Sequence, residues 1–212
     1  MSKKKNTCWK HFNNEELKIA EKAVSKDKKY GPEQQLIDEF FKKHPKNTDK
    51  NIVAAKIAII DTTNSTNLSH YKSKISLCEL ADVILKIKDF DGRLQKGDIS
   101  LVEEIASKTK KNYGINLFSF ATKFCCYHNV HVYDRDDFSI FDEVVKTHLK
   151  DYQTKELPIS INKAETWRIN MDYKSFNEYI GKLLDANNIT LPNRRRAFDY
   201  FVWYKNRDKK KK

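Results

Sequence analysis

The sequence predicts an all-α protein of about nine helices, and three observations carry that expectation. Five glycines and four prolines in 212 residues are too few to punctuate the many turns of a sheet-rich chain. Lys, Glu, Leu, Ile and Ala all favour helix. Apolar residues recur at three- and four-residue spacing between repeated start and stop signals. The length fits a single helical domain over residues 1–212, or two closely packed lobes. With 12 Phe, 10 Tyr and 3 Trp, the chain has the aromatic content of a packed body rather than a disordered one.

The elements follow in order. Asn14-Glu15-Glu16 opens a segment with Leu17, Ala20 and Val24 on one face, ending near Gly31. Pro32 then suits the first turn of a helix carrying Leu36, Ile37, Phe40 and Phe41, so the two read as a helical hairpin. Thr48-Asp49 precedes Ile52 to Ile60, apolar nearly all round and therefore expected as the buried central helix. The polar loop Asp61 to Asn67 follows. Ser76-Leu-Cys-Glu79 and Ser100-Leu-Val-Glu103 both match the capping box, in which the Ser side chain and the Glu satisfy each other's backbone N–H groups. They predict helices over 77–89 and 101–110. After the turn Lys111 to Asn116 a helix is expected from Leu117 to His128, then a short extended piece, Val130-His-Val132, at most a vestigial strand pair. Asp134 to Asp137 leads into a helix bearing Phe138, Phe141, Val144, Val145 and Leu149. Beyond Pro158 the signals weaken until Asp172, which caps a helix with Phe176, Ile180, Leu183 and Leu184. Pro192-Asn193 opens the last helix, with Phe198, Phe201 and Val202 inward.

The chain carries 41 Lys and Arg against 29 Asp and Glu, a net charge of +12 that falls unevenly. Lys3 to Lys5 and the run Lys205 to Lys212 hold most of the excess, so residues 1–12 and 205–212 read as flexible basic ends. Arg194, Arg195 and Arg196 form a second cluster at a helix start, a candidate nucleic-acid surface. DNA stands ahead of RNA as the partner. The four cysteines, Cys8, Cys78, Cys125 and Cys126, suggest no disulfide framework. Cys125 and Cys126 with His128 and His131 invite a zinc reading, but adjacent side chains on a helix diverge by about 100°. No metal and no cofactor is expected. Without an apolar run of about 20 residues no membrane span is expected, and the anticipated compartment is the reducing cytoplasm. Oligomeric state is left open.

The stretch most suggestive of chemistry is Asn116-Leu-Phe-Ser-Phe-Ala-Thr-Lys123-Phe-Cys-Cys-Tyr-His-Asn129, followed by Val130-His-Val-Tyr-Asp134. On a helix Lys123 shares a flank with Ser119, Phe120 and Tyr127, at the edge of the buried stripe. Desolvation there disfavours the ammonium and suits an amine nucleophile. Lys123 could equally snorkel or pair with a carboxylate, with Asp134 capping the next helix.

A helix, a short hairpin, a helix with Ala-Thr-Lys-Phe and a following Tyr-Asp resembles the helix-hairpin-helix DNA glycosylases, particularly the bacterial 8-oxoguanine glycosylase-like branch. The similarity covers about residues 50–150 and its motifs are moderately specific. It implies an all-α, two-lobed fold, with Lys123 as catalytic nucleophile and Asp134 as assisting acid. Asp136 and Asp137 are the other acids within reach. It further implies excision of a flipped-out modified base and an AP lyase step. Phe120, Tyr127 and Trp203 would form the base pocket, and Lys108, Lys110, Lys111 and Gly114 would hold phosphates. The family usually has paired glycines in the hairpin, where this chain has Gly114. A Lys-to-Asp separation of 11 residues is shorter than is usual in the family. Two other readings compete: a noncatalytic nucleic-acid-binding or defence-associated helical protein on the same scaffold, and a metal nuclease built on Asp134, Asp136 and Asp137.

Overall fold

A computed structural model describes residues 9–64 and 66–206. Among them are eleven α-helices and no strand: α1 (Asn14–Ser25), α2 (Tyr30–Lys43), α3 (Lys50–Asn64), α4 (Leu77–Leu85), α5 (Phe90–Gln95), α6 (Ser100–Tyr113), α7 (Phe118–Tyr133), α8 (Glu143–His148), α9 (Ile161–Asn170), α10 (Tyr173–Ala186) and α11 (Arg194–Asn206). Short 3-10 turns cover Leu68–Tyr71 and Leu149–Asp151. The all-α expectation therefore holds, with two more helices than anticipated.

Local chemistry explains most boundaries. Asn13 caps α1 by accepting from the Glu16 N–H at 2.9 Å. Ser76 and Glu79 form the complete capping box of α4. The second expected box is absent. Asp98 instead accepts from the Ser100 N–H and hydroxyl, while Glu103 reaches the Lys174 N–H at 3.0 Å and so tethers the first turn of α10. The helix anticipated over 77–89 ends early, at Leu85, and a separate helix, α5, begins at Phe90 after Asp89 adopts a left-handed conformation. Gly31 lets α2 approach α1 closely: a Cβ there would lie 2.4 Å from the Ser25 carbonyl oxygen. Helix α9, unmarked in the sequence apart from Ser160, is capped by that serine at 3.1 Å.

The buried centre is α7, not α3. Nearly every residue of α7 from Phe118 to Asn129 is buried, and α2, α3, α5 and α6 all pack on it. Helix α3 buries one stripe, Val53, Lys56, Ile57, Ile60 and Thr63. The supposed extended piece Val130-His-Val132 is simply the last turn of α7, which ends where Asp134 turns left-handed at φ 51°. The helix expected from Asp134 onwards starts only at Glu143. Its anticipated core residues Phe138 and Phe141 are buried from an irregular segment instead. Buried apolar residues form one continuous core from Phe12 to Val202.

The expected flexible ends need revision where they are described. Phe12 is buried against Tyr152, Phe198 and Phe201, and Lys10 donates its N–H to the Asp151 carbonyl at 2.8 Å. Asn206 is buried and donates to the Tyr152 hydroxyl. Lys3 to Lys5, Cys8 and the cations from residue 207 onward lie outside the described residues. No helix among the described residues is long and apolar enough to cross a membrane.

Candidate active site

Five helices supply the walls of a cleft of about 630 Å³: the start of α2, the end of α3, the starts of α7 and α8, and the outer face of α11, with α9 closing the rim. Its lining combines Tyr30, Phe120 and Trp203 with Asn64, Lys123 and Asp142. Tyr30 and Trp203 stack on each other, with ring centroids 4.2 Å apart and planes inclined by 25°. Asn116 and Leu117, in the turn between α6 and α7, form part of the edge.

Lys123 stands at the base of this cleft with only 6% of its surface exposed. Its Nζ donates to the Asn64 backbone carbonyl at 3.2 Å and lies 3.6 Å from Asp142 Oδ2. The Asn64 carbonyl is among the last four of α3, which have no partner within the helix and sit at the negative end of its dipole. Asp142 serves two purposes. Oδ1 caps α8 through the Val145 N–H at 2.9 Å, leaving Oδ2 for the lysine. A buried amine thus faces one anion and one carbonyl, with an aromatic-walled space open on its third side.

Behind this pair lies a second charged layer. Arg196, 3% exposed, bonds to Asp199 and Gln34, and its guanidinium carbon stacks 4.0 Å from the Tyr200 ring centroid and 4.6 Å from that of Tyr127. Burial raises the Asp199 carboxyl above its ordinary value, opposed by the Arg196 charge. The Tyr127 hydroxyl donates to the Asn64 side-chain oxygen. His131 meets Asp38 through Nδ1 at 2.8 Å. Burial and the nearby Arg196 charge push the imidazole down to about 4, so at neutral pH this contact is a hydrogen bond from a neutral ring rather than an ion pair.

The residues singled out from the sequence separate into three groups. Lys123, Phe120 and Trp203 line the cleft. Tyr127 does not: it is 1% exposed and stands beneath, touching the cleft only through Asn64. Asp134 is displaced from the site altogether. It is exposed at the C-terminus of the helix that carries Lys123, about 16 Å further along the axis. Asp136 and Asp137 are engaged elsewhere, the first with the N–H groups of Arg195 and Arg196, the second with Arg135 and Asn129. The carboxylate that reaches the lysine is Asp142.

Two of the three clustered arginines turn inward: Arg195 donates to Ser139 Oγ and the Asn177 carbonyl, both at 2.8 Å, and Arg196 is buried. Arg194 stays at the surface, paired at 2.5 Å with the exposed Asp185. Lys108 pairs with Glu104 at 3.5 Å, while Lys110 and Lys111 are exposed on the last turn of α6. Gly114 ends that helix at φ 69°, exposed, with nothing within 4 Å of where a Cβ would stand.

Asp142, Asn64, Tyr30 and Asp199 were not singled out from the sequence. Asp142 had a readable signal as a helix N-cap, obscured by the expectation that its helix began eight residues earlier. The others lie on separate helices that only the tertiary fold brings to Lys123. Cys125 and Cys126 are buried in the α7 core, where burial pushes the Cys126 thiol up to about 12. Among the described residues no three His, Cys, Asp or Glu side chains converge as a metal site.

No solved structure matches this chain. Over 145 residues it is 28% identical to a Haemophilus influenzae protein named Uncharacterized protein, a match covering 68% of this chain and 64% of that relative's length. Residues 10–136, which include Lys123 and stop short of Asp142, match the family model HI_0787_N, described as an N-terminal domain, and the chain belongs to that family.

Proposed function

We propose that the protein is a DNA glycosylase with AP lyase chemistry, in which Lys123 is the nucleophile and Asp142, not Asp134, is the assisting carboxylate. The single observation that carries this reading is a nearly dry lysine amine 3.6 Å from a carboxylate at the base of an aromatic-walled cleft. The change of acid lengthens the Lys-to-Asp separation from 11 to 19 residues, in the direction of the family that the motif resembles.

In this mechanism a nucleotide is extruded from the stack because its glycosidic carbon is otherwise out of reach. Its base rests against Phe120, Tyr30 or Trp203. The Lys123 ammonium first gives up the proton facing the cleft to solvent. Its lone pair then attacks the anomeric carbon, and the base leaves with the electrons of the glycosidic bond and takes up a proton. The Asp142 carboxylate offsets the positive charge that develops on the sugar. Ring opening then gives a protonated Schiff base, from which β-elimination expels the 3′ phosphate. Lys110 and Lys111, exposed on the last turn of α6 in the chain leading to the Asn116 edge of the cleft, would supply phosphate contacts.

Borohydride trapping on duplexes carrying oxidised or deaminated bases, and on abasic duplexes, tests the reading. A covalent adduct is expected with the native protein, abolished in Lys123→Ala. Asp142→Asn, which retains a capping side chain, should slow trapping about 100-fold while stability changes by less than about 1 kcal/mol. Absence of any adduct across the lesion set and the abasic duplex overturns the proposal. A second reading is a nucleic-acid-binding protein without chemistry. It is favoured by the engagement of the Lys123 amine with Asp142 and Asn64, and it would show salt-dependent binding with no adduct.

A further inference from the structure

We propose that Tyr127 is a positioning residue for Lys123: one turn further along α7, it grips Asn64 so that the Asn64 carbonyl holds one hydrogen of the Lys123 amine and leaves the third side of the nitrogen facing the cleft. The inference rests on the reading of Lys123 as an amine nucleophile.

Lys123 and Tyr127 are separated by four positions and therefore project from the same flank of α7. They meet one residue from two sides. Tyr127 donates its hydroxyl to the Asn64 side-chain oxygen, and Lys123 Nζ donates to the Asn64 backbone oxygen at 3.2 Å. Asn64 is the last residue of α3, so its carbonyl has no N–H partner within the helix. Its Nδ2 adds a contact to Thr63 Oγ1 at 2.7 Å. Tyr127 itself has little freedom. Its ring is buried beneath the Arg196 guanidinium, which Asp199, Gln34 and Tyr200 hold in place. Burial keeps the phenol far above its ordinary pKa, so it remains a hydrogen-bond donor at physiological pH.

An ammonium has three N–H directions. Asn64 accepts one, and the Asp142 charge lies 3.6 Å to a second side, so the proton that leaves toward the cleft is the third, and the lone pair that replaces it points along the same direction. Without the Asn64 contact the butyl stem can rotate and the lone pair loses its aim, a loss of orientation rather than of burial. The charged groups facing this amine are Asp142 from the segment before α8 and Asp199 from α11, whose field reaches Lys123. Neither changes when the Tyr127 hydroxyl is removed.

The test reads the amine without DNA. In the presence of cyanoborohydride, glycolaldehyde condenses with an unprotonated lysine, losing water to form an imine that hydride reduces to a secondary amine. The rate at the Lys123 peptide is followed by mass spectrometry at one pH, against the exposed Lys110 and Lys111 peptide of the same protein as an internal reference. Tyr127→Phe, which keeps the ring in the core, is expected to lower the Lys123 rate about tenfold relative to that reference, whereas a merely loosened fold would expose the amine and raise it. Asn64→Ala should reproduce the loss, and the double variant should be no worse than either single one, as for two parts of one linkage. A relative rate unchanged or raised in Tyr127→Phe overturns the proposal, as do additive effects. A native protein that alkylates as expected but never traps on DNA refutes the glycosylase reading and leaves the positioning role standing.

Discussion

Lys56 shows how an individual side chain can contradict its local pattern. It sits in the apolar stripe of α3 with no exposed surface, donating to Asn47 Oδ1 at 2.9 Å and lying 3.2 Å from His128 Nε2. Asn47 in turn bonds to Asp91 through its N–H at 2.9 Å. Burial lowers the Lys56 pKa to about 8, with Asp91 working against it. Since the unfolded chain holds this proton more tightly, stability rises with pH from about 8 to about 10.5. Urea denaturation of the native protein and of Lys56→Met should diverge by about 2–3 kcal/mol in favour of the native protein across that window. The buried thiols and phenols act in the opposite sense but are common to both proteins. A constant difference would show that Lys56 is not desolvated as described. Residue chemistry of this kind was only partly legible. The apolar run around Lys123 marked that lysine, but a lone Lys in α3 carries no signal until Asn47 and His128 are brought to it.

At the scale of elements, α11 depends on a residue that precedes it by almost sixty positions. Asp136 accepts from the N–H groups of Arg195 at 2.8 Å and Arg196 at 3.2 Å, filling the place of a capping side chain for a helix whose own sequence offers Asn193. Burial raises its carboxyl to about 6, and the same N–H groups restrain the rise. Asp136→Ala should cost about 2 kcal/mol, above an ordinary cap because the orphaned donors are partly buried. Asp136→Asn should recover much of that. Thermal melts of the two variants distinguish a specific cap from loss of packing, in which case both would fall equally. The Ser76 box and the Asn13 cap were readable because donor and acceptor are three residues apart. The Asp136 cap was not, because nothing in a local window relates residue 136 to residue 195. The same gap explains the misplaced start of α8: Asp142-Glu-Val-Val is a sound N-cap signal, but three acids upstream offered an earlier one.

For the whole molecule, acid sensitivity follows from two imidazoles sealed inside it. His128 and His131 are held below their ordinary pKa mainly by burial, the second at about 4. Unfolding lets them take up protons, so their contribution to stability falls as pH drops from about 6.5 towards 4. His131→Asn keeps a donor towards Asp38 and should lose about 2 kcal/mol less than the native protein over that interval. Equal losses would mean that His131 titrates alike in the folded and unfolded chains. Asp136 and Asp199, whose carboxyls are raised, contribute in the reverse direction and are unchanged in the comparison.

Composition and periodicity by themselves determined that the chain is helical and which faces of α1, α10 and α11 turn inward, and they marked Lys123 as an amine at the edge of a buried stripe; on α2 they found Ile37 and Phe41 but also marked Leu36, which is 48% exposed. These properties are local: helical spacing and three-residue caps are written in adjacent positions. Only the tertiary structure decided which acid meets that amine, that Arg195 and Arg196 face inward, and that α7 rather than α3 is the centre. Those outcomes depend on which helices pack together. The electrostatic partners of Lys123 come from Asn64 at the end of α3 and Asp142 at the start of α8, distant in sequence and brought together because α3 packs on α7 while α8 packs on α11 and α9.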